Sequence, residues 1–95
     1  MRDDEFEWSD TKAASNIEDH KVSFEIARRV FDDPLVLIRE DVTEDYGEER
    51  LIAIGKVGLR LITVIHTHRE DRVRIISAWK ASNHEQLAYH HSSAT

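Results

Sequence analysis

The chain contains no cysteine, so neither disulfides nor thiolate metal sites are open to it. One proline and three glycines in 95 residues argue against disorder and low complexity. No apolar run approaches the length of a membrane span. The start, Met1-Arg2-Asp3-Asp4-Glu5, is acidic where a secretory signal would be basic and then apolar. These absences predict a cytoplasmic protein with no membrane partner. Glycine-rich phosphate loops, nucleophile elbows, zinc-protease helices and dinucleotide fingerprints are missing as well. Function has to be read from weaker features.

What is present suits a folded chain, with 40% hydrophobic and 34% charged residues. The length gives room for one domain over residues 1–95 and one modest core, burying about 60–65% of the unfolded surface. The net charge of -6 is unevenly spread. Residues 1–49 carry 16 acidic and 6 basic side chains, whereas residues 50–95 carry 3 acidic and 7 basic. Five of the six histidines also lie in the second part. Such a split can place a positive face on an acidic protein. It equally describes a solvated acidic half beside a mixed half that binds nothing.

Periodicity predicts an α+β fold: a short N-terminal strand, two helices, an antiparallel sheet and a C-terminal helix. Glu5-Phe6-Glu7-Trp8 alternates like an edge strand. Ser9 is placed to cap a helix running to about His20, with Ala13, Ala14 and Ile17 on its inner side. Ser23 caps a second helix, on which Phe24, Ala27, Val30 and Phe31 form one face until Pro34 stops it. Strands follow at Leu35–Glu40, Arg50–Ile54, Leu59–His68 and Arg72–Trp79. Between them lie a polar loop from Asp41 to Glu49, a turn over Gly55–Gly58 and a turn over Arg69–Asp71. The third and fourth strands are apolar on both faces, as in a sheet covered partly on both sides. Ser82 and Glu85 form a capping box for the last helix, whose inner side would be Leu87, Tyr89 and His91, before a frayed tail.

Three groups of residues could carry chemistry. Arg50, Arg60, Arg69, Arg72, Arg74 and Lys80 form a basic set on the late strands. Arg72 and Arg74 are two apart and so share a face, where paired guanidiniums could grip one phosphate or two successive ones. They could equally solvate the sheet or pair with the acidic half. His66 and His68 share a face too, and an imidazole there could serve as general acid or base. Together with His84, His90 or His91 they could instead bind zinc, or they could be turn-edge residues with no chemical duty. Trp79 ends a strand beside Lys80, where an RNA base could stack on the indole, or the ring could belong to the core.

Four segments in series, FEWSDTKAASNIEDHKVSFEIARRVFDDPL, GEERLIAIG, VIHTHRED and RIISAWKAS, resemble the BrnT family of bacterial toxin–antitoxin toxins. The likeness spans Phe6 to Glu85. It implies a RelE-like fold, RNA cleavage that arrests translation without a metal or other cofactor, and a complex with a BrnA-like ribbon-helix-helix antitoxin. Operator DNA would be reached only through that antitoxin. The chain departs from the family at Asp19 and Lys21, which stand where a basic residue and a glycine are usual, and at Trp79, Asn83 and His84, which stand where basic residues are usual.

On this reading Arg50 and Arg74 stabilise the phosphate during attack by the ribose 2′-hydroxyl, and His66 is the acid or base. His20, which matches a family histidine, is the second candidate for that role or else a helix C-cap. Arg69, Arg72, Trp79 and Lys80 would position the strand. The missing positive charges raise a second possibility, a weakened toxin that survives as an antitoxin-binding module and co-repressor. A small zinc hydrolase using the histidines is a third.

Overall fold

The computed structural model describes residues 1–41 and 47–93. Most of the predicted polar loop (42–46) and the end of the tail (94–95) lie outside the described residues. The chain runs β1 (Phe6–Glu7), α1 (Asp10–His20), α2 (Phe24–Arg28) with a 3-10 turn over Arg29–Asp32, β2 (Leu37–Glu40), β3 (Leu51–Val57), β4 (Arg60–Arg69), β5 (Arg72–Lys80) and α3 (Asn83–Ser93). The fold is α+β, with a five-stranded sheet in the order β1-β5-β4-β3-β2. No helix among the described residues is long and apolar enough to cross a membrane.

The predicted antiparallel sheet is in fact mixed. β2 to β5 pair antiparallel, but β1 pairs parallel to β5, with Phe6 opposite Val73 and Glu7 opposite Arg74. A parallel pair needs a long crossover, and here the helices and three strands between β1 and β5 supply it.

All three helix starts form as read. Ser9 accepts from the Lys12 N–H and Ser23 from the Ile26 N–H. At α3 the Ser82 hydroxyl accepts the Glu85 N–H at 3.1 Å, while Glu85 accepts the Ser82 N–H at 2.8 Å. Each satisfies a donor that the first helical turn leaves unpaired.

The strand ends differ from expectation. β2 starts at Leu37, because the backbone N–H groups of Leu35 and Val36 bond back to Asp33. β3 continues through Gly55 to Val57, so the turn shrinks to Gly58 and Leu59. Gly55 is buried under the 3-10 turn, where a Cβ would sit 2.8 Å from Val30 Cγ1 and 2.9 Å from the Val30 carbonyl oxygen. It serves close packing rather than a turn. The β4–β5 hairpin turns through Glu70 and Asp71, both with positive φ, which suits the right-handed twist of the strands.

The main core lies between the sheet and α1–α2. It joins Phe6, Trp8, Phe24, Ala27 and Val30 to Val64 and Ile75 on the strands. Trp8 meets Phe24 edge-on at 5.8 Å. On the opposite face α3 covers only the β3–β2 side, through Tyr89 and Ala81 over Ile54, Leu37 and Leu61. The Tyr89 hydroxyl donates to Asp33 at 2.6 Å and ties α3 to the start of β2. Leu87 and His91, predicted inside, are exposed.

On α1 the inward residue is Asn16, not Ile17, which is 48% exposed. Asn16 is buried and its carboxamide is fully used. Its Nδ2 donates to the carbonyls of Val22 and Ala78, and its Oδ1 accepts from the Ala78 N–H and the Ser77 hydroxyl. β1 pairs with only two residues of β5, so the rest of that strand's edge would lack partners. Asn16 completes the edge at Ala78, taking the place of a neighbouring strand's peptide group.

Candidate nucleic-acid interface

Opposite α1 and α2, part of the sheet face is left open by α3. On β4, Ile62, Val64 and His66 face the helices, so Thr63, Ile65 and Thr67 point to the opposite side, where neighbouring side chains bury all three. Their register partners follow them: Arg74 opposite Thr67, Ser77 opposite Ile65, and Trp79 opposite Thr63. The β4–β5 ladder shifts register between Ile65 and His66, which leaves Ile76 without a partner as a bulge.

On β3, Leu51 pairs with His66, so Arg50 falls next to Thr67 on the open side. The Thr67 hydroxyl donates to the Glu49 carbonyl at 2.6 Å and fixes that approach. One row across the sheet therefore reads Glu7, Arg74, Thr67, Arg50. With strands about 4.8 Å apart, the two arginine backbones stand roughly 10 Å apart.

A groove of about 400 Å³ opens beside this row. Its floor is Ile52 and Ile65, and Arg50, Ile76, Ser77 and Trp79 wall it. A second groove of about 290 Å³, between α1 and the edge of β5, shares Ile76 and Ser77 with the first and holds Lys12 and His20. The His20 and Trp79 rings are 6.0 Å apart, where the two grooves meet. Trp79 is half-buried, and its indole N–H donates to Glu85 at 3.0 Å, the same carboxylate oxygen that caps α3.

The structure thus brings Arg50, Arg74 and Trp79 to one face with His20 at its rim. Arg72 shares that face at the hairpin end, and Arg69 sits opposite it in register. Lys80, next along from Trp79, points to the other side of the strand.

Much of the charge asymmetry is spent inside the molecule. Arg74 meets Glu7 at 2.7 Å, with both side chains largely shielded. Arg72 donates to the Asp3 carbonyl at 2.8 Å. Arg69 meets Glu48 at 3.3 Å, and Arg28 meets Asp3 at 2.9 Å while lying over the Phe6 ring.

His66 lies on the other face. It is 1% exposed and meets Phe31 edge-on at 4.9 Å. Burial first, and the neighbouring His68 second, push its pKa down to about 4, against a smaller opposing effect from the Val64 backbone. It is a neutral core residue at pH 7, with the sheet between it and Arg74. The acid or base expected of His66 is therefore not within reach of the open face. Among the described residues no group of three or more His, Asp or Glu side chains is placed to hold a metal ion.

Glu7, Asn16, Thr67 and Ser77 complete this picture beyond the residues to which the sequence points. The outward position of Glu7 was legible, since it alternates with the buried Phe6 and Trp8. Asn16 gave only the weak signal of an amide on the side of a helix where an apolar residue belongs.

The sequence model of a family described as the ribonuclease toxin BrnT of type II toxin–antitoxin systems matches residues 8–85. No curated protein matches the chain.

Proposed function

The chain belongs to the BrnT family of ribonuclease toxins of type II toxin–antitoxin systems, and from that premise we propose that it cleaves RNA on the open sheet face without a metal ion, so arresting translation. The observation that carries this reading is the row of Arg50, Thr67 and Arg74 beside Trp79. When the ribose 2′-hydroxyl attacks the neighbouring phosphorus, negative charge builds on the phosphorane oxygens. Arginines fixed on strands stabilise that charge without having to reorganise. An RNA base stacks on Trp79, and the strand leaves past His20. Arg69 and Arg72 contact phosphates near the hairpin, and a BrnA-like ribbon-helix-helix antitoxin silences the toxin by covering this face. The antitoxin dimer, not this chain, contacts operator DNA.

The test is cleavage of a single-stranded RNA in EDTA by the wild type and by Arg74→Ala. Cleavage that survives EDTA and falls at least ~10-fold in the variant is the expected result. Cleavage that stops in EDTA and returns with added zinc would sink the metal-free reading.

One observation favours a second reading. Arg69, Arg72 and Arg74 already have partners within the chain. A phosphate must compete with those partners, as suits a weakened toxin retained to bind the antitoxin and tune repression. That protein would bind RNA weakly, cleave neither free nor ribosome-bound RNA, and still bind the antitoxin tightly.

A further inference from the structure

We propose that Glu7 is the base of this cleavage reaction, taking the proton from the attacking 2′-hydroxyl, an assignment that rests on the ribonuclease reading above. Phosphate stabilisation alone leaves that proton without an acceptor. His66 lies behind the sheet, and His20 sits at the Trp79 end of the groove.

Glu7 is the register partner of Arg74 on the neighbouring strand. Its Oε2 accepts from Arg74 Nη1 at 2.7 Å. Its Oε1 makes no hydrogen bond among the described residues and is not fully buried, on a side chain that is 16% exposed. The flanking Phe6 and Trp8 are 8% and 4% exposed, and these two buried anchors fix the direction in which Glu7 points. One carboxylate oxygen is thus clamped by the guanidinium, and the other is available beside it. A phosphate on the remaining N–H groups of Arg74 would bring the adjoining ribose to that second oxygen.

In the step itself, Oε1 of Glu7 takes the 2′-hydroxyl proton as the 2′-oxygen forms its bond to phosphorus. The bond from phosphorus to the 5′-oxygen breaks, and the leaving oxygen takes a proton from water. The products are a 2′,3′-cyclic phosphate and a 5′-hydroxyl end. Glu7 then returns its proton to the hydroxide left in solvent, so atoms and charge balance.

The experiment compares the full-length wild type with Glu7→Gln on one synthetic RNA oligonucleotide. It measures the initial cleavage rate and the binding of the same oligonucleotide with 2′-O-methyl riboses, which cannot react. A base contributes ~10²–10⁴-fold, so the rate should fall at least ~100-fold while binding changes less than ~3-fold. Glu7→Asp, which keeps a carboxylate, should recover part of the rate and covers the case in which Glu7→Gln does not fold.

An unchanged or faster rate in Glu7→Gln would overturn the assignment, because it would mean that Glu7 merely masks Arg74. A parallel loss of binding and rate would also overturn it, since Glu7 would then only hold Arg74 in place. Asp41, the carboxylate that lines the groove among the described residues, is the control. A large loss in Asp41→Asn with none in Glu7→Gln would move the base there. A wild type that cleaves no RNA, free or ribosome-bound, would overturn the ribonuclease reading and this assignment together. An active wild type with an unaffected Glu7→Gln overturns the assignment alone.

Discussion

Arg74 and Trp79 are five residues apart on β5, yet both side chains stand on the open face of the sheet. Strict alternation would send them to opposite faces. The extra residue at Ile76 restores the parity: Arg74 lies opposite Thr67 and Trp79 opposite Thr63, and both of those threonines point to that side of the sheet. The bulge also makes Ile76 the ridge that the two grooves share. A cation and an aromatic ring are thereby placed on one surface, as recognition of a single-stranded nucleic acid requires.

In the proposed binding mode, that placement separates two contributions to RNA affinity. Arg50→Ala removes a phosphate contact, so it should flatten the dependence of log affinity on log salt by roughly 0.7. Trp79→Ala removes stacking, which carries no counterion release. It should leave the slope unchanged and weaken binding by about 1–3 kcal/mol at every salt concentration. Titrations of a labelled 2′-O-methyl RNA over a range of salt read both quantities. If the tryptophan variant changes the slope, or neither variant changes anything, the RNA does not bind on this face.

Asn16 links α1 to the edge of β5 through bonds to both backbone groups of Ala78. Asn16→Ala leaves these groups and the Val22 carbonyl buried and short of partners. At about 1–3 kcal/mol for an unsatisfied buried group, the loss should reach roughly 3 kcal/mol, or about 12 °C or more in Tm. Asn16→Asp keeps an acceptor for the Ala78 N–H but sets a carboxylate against two carbonyls, so it should be at least as damaging. Thermal unfolding of both variants checks this, and a change under about 1 kcal/mol would mean that α1 shifts to let water in.

The features legible in the sequence are those set by neighbours along the chain. The capping serines, the hairpin at Glu70–Asp71 and the helix face of Phe24, Ala27 and Val30 all depend on residues a few positions away. The features that were not legible depend on the register of distant strands. The bulge at Ile76 is defined only against β4. The duty of Asn16 exists only because β1 stops after two residues of pairing. His66 lies in a run that is apolar on both faces, so alternation could not say which face it joins. For the site, the useful residue types were visible, but the Glu7–Arg74 contact bridges two strands that sit next to each other only after folding.

Lys21 carries a cost that can be relieved. It ends α1 in the left-handed conformation, at φ 61° and ψ 28°, with its N–H bonded to the Ile17 carbonyl. Glycine adopts this conformation without a Cβ penalty, which for other residues is about 1–2 kcal/mol. Lys21→Gly also gives up the bond from Lys21 Nζ to the Glu18 carbonyl and adds freedom to the unfolded chain. The net gain should be about 0.5–1 kcal/mol, seen as a Tm higher by several degrees. A lower Tm would show that the lysine contact outweighs the backbone strain.

His66 should make the protein sensitive to mild acid. In the unfolded chain this imidazole titrates near its ordinary 6.5, while in the folded protein burial and His68 hold it down to about 4. Between these values the unfolded state binds a proton that the folded state does not, so stability rises with pH across the window. The contribution is complete above pH 6.5, is lost progressively as the pH falls, and levels off near pH 4 after a loss of about 3 kcal/mol at most. Carboxylates held low in the fold act in the same direction but further down: for Asp3, brought to about 2 by the Phe6 and Glu5 N–H groups, the stabilisation is present above its ordinary 3.8 and is lost as the pH falls from there towards 2. Urea unfolding at several pH values between 4.5 and 7 reads the slope. His66→Gln cannot titrate, so its stability should be nearly flat over that range even if it is lower at pH 7. An equal slope in wild type and variant would mean that the histidine finds water or a partner when charged.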